Sequence, residues 1–275
     1  MLRKVTGTIV AGSGAALLLA AGCSSGGAAH PAAHALSPIQ AITLAARQAK
    51  QVNSFTSTLS IKMSGAVSGI MAGTMQIRTR PSLLADANLS TLAFGGQSLP
   101  GGIQEILTSR SIYLKMALLS QKLHKPWVEI SFAELRGTGV NLSQLTQQVQ
   151  SNNPLVQTQM LAGAKNVREV GTQTTGGVKI THYTGSYPVS AGIVKLPPSL
   201  RPVEQQRLKA LGIRIVEFNA WIDSQHQTRK IVVTENGSTE QLTVTMQVTG
   251  INQPVSVSLP PAGQVATIPA SGLRG

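Results

Sequence analysis

Phe55-Thr56-Ser57-Thr58-Leu59-Ser60-Ile61-Lys62-Met63 sets Leu59, Ile61 and Met63 in alternation with Thr58, Ser60 and Lys62. Successive side chains of an extended chain point to opposite faces, so this stretch reads as a strand with one apolar face. A glycine-rich turn follows from Gly65 to Gly73, and then Met75 and Ile77 alternate with Gln76 and Arg78. After Arg80-Pro81 the pattern returns, with Leu83, Ala85, Ala87 and Leu89 against Leu84, Asp86 and Asn88. Short strands joined by local turns predict an antiparallel meander.

Downstream, Gly95-Gly96 and Leu99-Pro100-Gly101-Gly102 are further turn signals. Ser111-Ile112-Tyr113-Leu114-Lys115-Met116 and Pro126-Trp127-Val128-Glu129-Ile130 read as two more strands. The middle of the chain is helical: Leu142, Leu145 and Val149 recur at helical spacing within Asn141 to Gln150, and Pro154 starts a second short helix through Leu161. Strands resume over Asn166 to Val170, Val178 to Tyr183, Ile215 to Ile222, Arg229 to Thr234 and Gln241 to Val248, with a charged helix over Arg201 to Leu211. Upstream, Ser37-Pro38 opens an amphipathic helix to about Val52, carrying Ile39, Ile42, Leu44 and Ala46. Strands on both sides of a helical middle predict an α+β domain with a largely antiparallel sheet.

At the N-terminus, Arg3 and Lys4 precede an apolar run ending in Leu19-Ala20-Ala21-Gly22-Cys23. This ending resembles a bacterial lipobox, the signal for diacylglyceryl transfer to the cysteine and cleavage before it. The run is about 17 residues, at the bottom of the spanning range, and is diluted by Gly7, Gly12 and Gly14. On this reading residues 1–22 are a lipoprotein signal peptide, Cys23 carries the lipid, 23–36 is a flexible tether, 37–262 is the folded domain and 263–275 is a disordered tail. The lipid, palmitate among its acyl chains, would anchor the domain on the extracytoplasmic face of the cell membrane, since each buried methylene adds about 0.8 kcal/mol. His30 and His34 stand four apart in the tether, but Pro31 and the preceding glycines oppose the helix that would make them metal ligands.

The formal charge is +13, of which Arg3 and Lys4 belong to the signal peptide. Aromatic residues make up 3% of the chain and the basic residues are dispersed, which excludes the basic-aromatic clusters of a nucleic-acid reader. A basic surface outside the cytoplasm suits anionic headgroups or acidic wall polymers, and equally a plain solvated surface. With one cysteine in the chain there is no disulfide framework, so stability rests on a packed core.

Catalytic motifs are absent from residues 37–262: no GxSxG elbow, Walker loop, dinucleotide fingerprint or HExxH. The ten acidic residues form no close pair suited to glycoside or metal chemistry, and His124, His182 and His226 are isolated in sequence. Enzymatic activity, cofactors and metals are therefore not expected. Trp221 to Lys230 reads as a hairpin with Asp223 bonding amides of its turn and His226 at the tip, a structural role for the aspartate. Trp127 and Trp221 read as packing residues.

Ile112-Tyr113-Leu114-Lys115-Met116, Lys125-Pro126-Trp127-Val128-Glu129-Ile130, and Ala220-Trp221-Ile222-Asp223 with Thr228-Arg229-Lys230 together resemble the LolA-like superfamily, in particular the LppX/LprG-type lipoproteins of actinobacteria. The resemblance covers most of residues 37–262 and rests on the order and spacing of strand signatures. It implies a curved antiparallel half-barrel with helices on its concave side, enclosing a cavity for acyl chains, and hence a monomeric envelope protein that binds or transports lipids or glycolipids. In the periplasm-like space relatives also act as sensors or assembly factors, so a membrane-protein or transporter partner is the alternative; nucleic acid is not a partner. The lining would come from the apolar stripes Leu59, Ile61, Met63, Met75, Ile77, Leu83, Ala85, Leu89, Leu114 and Met116. Such stripes also describe ordinary core. Seven methionines would make a pliable lining.

Overall fold

The computed structural model describes residues 36–135, 154–175 and 177–267. The signal peptide, Cys23 and the helix expected over Asn141 to Gln150 lie outside the described residues. Helix α1 (Pro38–Ala49) begins at a capping box: the Ser37 hydroxyl accepts from the Gln40 amide, and the Gln40 side chain accepts from the Ser37 amide at 2.9 Å. Proline at the first helical position costs no hydrogen bond there. The buried stripe is Ala41, Ile42, Ala45, Ala46 and Ala49, whose small side chains let the helix lie close to its neighbours, while Ile39 faces outward.

β1 (Ser54–Gly65), β2 (Gly69–Arg78) and β3 (Leu84–Phe94) form the expected meander, and the two-residue β4 (Gln97–Ser98) pairs back onto β3. The turn between β1 and β2 is shorter than expected, because β2 already starts at Gly69. A strand missing from the sequence reading follows, β5 (Ile103–Leu107), and then β6 (Ser111–Met116), α2 (Ala117–Leu123), β7 (Trp127–Ser131) and α3 (Phe132–Leu135). After α4 (Pro154–Met160) and a 3-10 turn (Leu161–Gly163) come β8 (Asn166–Thr175), β9 (Val178–Pro188), α5 (Val189–Ile193) and α6 (Arg201–Ala210). β10 (Ile215–Asp223), β11 (Thr228–Asn236), β12 (Glu240–Ile251) and β13 (Val265–Thr267) complete the chain's described part.

All strands belong to one open sheet in the order β13-β7-β6-β5-β3-β2-β1-β12-β11-β10-β9-β8. Every pairing is antiparallel except that of β13, which runs parallel to β7. Residues 265–267, within the stretch expected to be disordered, are thus part of the sheet, and Lys125 donates to the Gly263 carbonyl just before them. Bulges at Thr56/Ser57, Ala72/Thr74, Glu169/Gly171 and Trp221/Ile222 bend and twist their strands, the local source of the sheet's curvature. At one of them Gly73 faces β3 so closely that a Cβ would sit 1.9 Å from the Asn88 carbonyl oxygen.

The core lies on one face of the sheet. α1, α4, the 3-10 turn and α5 cover it, with Ile42, Met160 and Leu161 meeting Phe55, Phe218 and Met246. Burying each of the larger side chains contributes about 1.5–3 kcal/mol. α6 is tied to β11 by an ionic cluster: Arg207 donates to both oxygens of Glu204 and both of Glu235, at 2.7–3.1 Å. Both glutamates are buried, and burial works against the Arg207 charge, yet the hydrogen bonds it donates to Glu235 and Glu204 leave its pKa raised. The neighbouring Tyr187 phenol is pushed up by burial first and then by these two carboxylates.

Candidate functional site

Cross-strand register decides which side chains share the helix-covered, inner face. One row runs Phe55, Ile77, Ala85, Leu107, Ile112; the next runs Ser57, Met75, Ala87, Glu105, Leu114. Beyond the β3 bulge, Leu89, Ile103 and Met116 make a third. Nine of the ten residues proposed from the sequence, Leu59, Ile61, Met63, Met75, Ile77, Ala85, Leu89, Leu114 and Met116, therefore point to one side of five consecutive strands. Leu83 lies just ahead of β3.

Their burial is uneven. Leu59 and Ile77 are buried in the core, with Ile61, Met75 and Ala85 partly buried against it. Met63, Leu89, Leu114 and Met116 are half-buried and stand outside that cluster. The inner face is thus filled by helices over β1 and β9–β12 and less completely covered over β3, β5 and β6.

Three polar side chains interrupt this apolar interior, Ser57 and Glu105 on the sheet and Gln159 on α4, and none was proposed as a site residue from the sequence. Ser57 Oγ is buried without a hydrogen-bond partner among the described residues. Glu105 stands between Ala87 and Leu114, has no hydrogen bond or ion pair among the described residues, and burial raises its pKa above the usual carboxylate value. Ile103-Gln104-Glu105-Ile106-Leu107 does not alternate and follows a run of turn residues, so the sequence carried little signal for this strand. Gln159 of α4 is 7% exposed, and its Oε1 has no hydrogen-bond partner.

A cavity of about 230 Å³ opens between the end of α1, the β2–β3 connection, α4 and the 197–200 segment. Ile77, Leu83 and Ala85 of the proposed stripe line it, together with Val52, Leu155 and Val156. Gln159 lies in its wall, and the exposed Lys50 and Arg80 belong to its lining. On the opposite face of the sheet a groove of about 580 Å³ is lined by Arg168, Ser186, Glu217, Asn219 and Thr234, a polar surface unsuited to acyl chains.

The remaining candidates have structural roles. Asp223 Oδ1 accepts from the amides of Gln225 and Gln227 at 2.9 and 2.8 Å, and Oδ2 accepts from Arg229 Nε at 2.7 Å. His226 holds the left-handed turn position at φ 59°. Trp221 is sandwiched: the His182 ring stacks on it at 4.2 Å and 5°, and Lys230 Nζ lies 4.5 Å from its centroid. Both indole neighbours come from flanking strands, leaving little face for a ligand. Trp127 is buried at the start of β7, with Lys115 near its ring. Among the described residues no three His, Cys, Asp or Glu side chains gather as a metal site, and no helix is long and apolar enough to cross a membrane.

No family model matches the chain. It is 26% identical over 202 residues to an uncharacterized 31.2 kDa protein in the rplA-rplJ intergenic region of Streptomyces griseus, a match covering 69% of this chain. The chain spans 63% of the length of that curated relative. Among solved structures it is similar to LprF from Mycobacterium bovis, at 10% identity and TM-score 0.48 over 81% of this chain and 96% of that one. It is also similar to the Mycobacterium tuberculosis lipoprotein LppX, at 17% identity and TM-score 0.42 over 80% and 97% of the two chains. A LolA superfamily protein from Nitrosomonas europaea aligns over 82% of this chain and 96% of its own, at 11% identity and TM-score 0.29. The chain has an α+β fold, a curved, open and largely antiparallel sheet with helices over one face.

Proposed function

We propose that this protein is a cell-envelope lipoprotein, anchored through Cys23, whose inner sheet face holds acyl chains of a lipid or glycolipid that it carries or presents. The observation that carries this reading is the largely apolar inner face of β1–β3, β5 and β6, only partly covered by helices and adjoining a cavity with an apolar wall. Burial of an alkyl chain there supplies affinity in proportion to area removed from water. At about 230 Å³ the cavity is smaller than sites for drug-sized ligands, roughly 300–1,000 Å³. A full diacyl lipid therefore requires the helices to move off the sheet.

The test is mass spectrometry of lipids that co-purify with the chain from an actinobacterial host. Diacyl or triacyl species should appear, and Ile61→Trp or Leu114→Trp, each projecting bulk from the inner face, should deplete them while circular dichroism stays unchanged. A chain free of lipid beyond its anchor, and unable to take up added lipid, would sink the proposal.

One observation favours a second reading, a regulator or assembly factor with a membrane-protein partner. β8 is an edge strand of ten residues paired only with β9, and nine of the ten are exposed. An extended segment of a partner could add to it by main-chain hydrogen bonds. Cross-linking from Val170 in native membranes would capture that partner.

A further inference from the structure

We infer that the cavity between α1, the β2–β3 connection and α4 selects an anionic amphiphile, an inference that rests on the acyl-binding reading above. Its lining divides by chemistry. Val52, Ile77, Leu83, Ala85, Leu155 and Val156 form an apolar wall, and the lining contains two cations, Lys50 and Arg80, but no aspartate or glutamate. The ion pairs among the described residues join Arg207 to Glu204 and Glu235, and Arg229 to Asp223, so neither Lys50 nor Arg80 is neutralised. An alkyl chain ending in a carboxylate or phosphate matches both parts: the chain meets the wall and the anion meets the two cations.

Gln159 adds an independent observation. It is more than nine-tenths buried, it lines the cavity, and its Oε1 has no partner. A buried amide left unpartnered is costly, and an apolar residue of similar volume would remove that cost. Retaining the amide makes sense where a ligand hydroxyl supplies the missing donor. The cavity's 230 Å³ holds roughly eight groups of water or methylene size at about 30 Å³ each. That is room for the head-proximal part of one chain, with the charged group at the cationic end.

The test uses the full chain in membranes from an actinobacterial host, incubated with four diazirine-bearing probes: palmitic acid, lysophosphatidylglycerol, lysophosphatidylcholine and monoacylglycerol. After irradiation, labelled peptides are mapped by mass spectrometry. The two anionic probes should label the peptides holding Leu83 to Ala85 and Leu155 to Gln159 roughly fivefold to tenfold more than the other two. Lys50→Gln with Arg80→Gln, both exposed and so compatible with folding, should abolish that preference. Gln159→Leu should weaken labelling by lysophosphatidylglycerol, which carries hydroxyls, more than by palmitic acid. The stronger of the two anionic probes identifies phosphate or carboxylate as the preferred headgroup. Equal labelling by all four probes would overturn the charge selectivity while leaving acyl binding standing. Absence of labelling at these peptides by every probe would overturn both.

Discussion

Glu105 lies directly across the β5–β6 ladder from Leu114, so a carboxylate with no hydrogen bond or ion pair among the described residues stands in a row with Met75, Ala87 and Leu114. Its neighbour on the other side, Ala87, is equally unable to hydrogen-bond it through a side chain. A charged group there loses water without gaining a counter-charge, which is why burial moves its proton affinity upward.

This predicts a stability effect with a definite sign. A carboxyl whose folded pKa is raised from 4.5 binds protons more tightly when folded, so stability falls as pH rises from the unfolded value through the folded one. Glu105→Gln should be the more stable protein at pH 7, and its advantage should vanish at and below the unfolded value. Urea titrations at several pH values check this; a variant less stable than the parent at pH 7 would show that the carboxylate has a favourable partner.

The two buried ionic clusters should respond differently to loss of their arginine. Arg207→Ala leaves Glu204 and Glu235 buried and facing each other without their shared cation, a loss of about 3–5 kcal/mol. Arg229→Ala leaves Asp223 with two backbone amide donors, so about 1–2 kcal/mol is expected. Chemical denaturation of both variants measures the difference, and equal losses would contradict it.

Glycine substitutions test the bulges. Gly73→Ala places a methyl 1.9 Å from the Asn88 carbonyl oxygen, a backbone clash that only separation of β2 from β3 relieves. A loss above about 2 kcal/mol is expected. Gly171→Ala meets nothing within 4 Å and should stay within about 0.5 kcal/mol of the parent. Thermal melts of the pair suffice.

Filling the cavity should separate binding from stability. Leu83 is half-buried in the cavity wall and precedes β3, so Leu83→Trp can occupy the space without disturbing a strand ladder. Its melting temperature should stay within a few degrees of the parent while co-purifying lipid falls severalfold. By contrast Ile77→Ala, in the packed core, should cost about 2–5 kcal/mol.

The meander was readable in the sequence because its evidence is local. Alternation over Phe55 to Met63 assigns each side chain to a face whatever the strand pairs with, and the Ser37-Pro38 start of α1 carries its own capping residues. The hairpin at Asp223 was legible for the same reason, its three side-chain hydrogen bonds all falling within six residues. β5 escaped because five residues after two glycines carry weak strand preference, and pairing with both β3 and β6 overrides it. β13 escaped likewise: three residues become a strand only because β7 offers a free edge.

By itself the sequence determined the α+β class, the order of most strands and the set of apolar residues on each strand's face, since period and capping act over a few residues. Tertiary structure alone decided that β1 pairs with β12 nearly two hundred residues away, that Glu105 falls among those apolar residues, and that Gln159 meets Lys50 and Arg80 around one cavity. Such juxtapositions follow from register and helix packing across the whole chain, where burial of the common core outweighs any local preference.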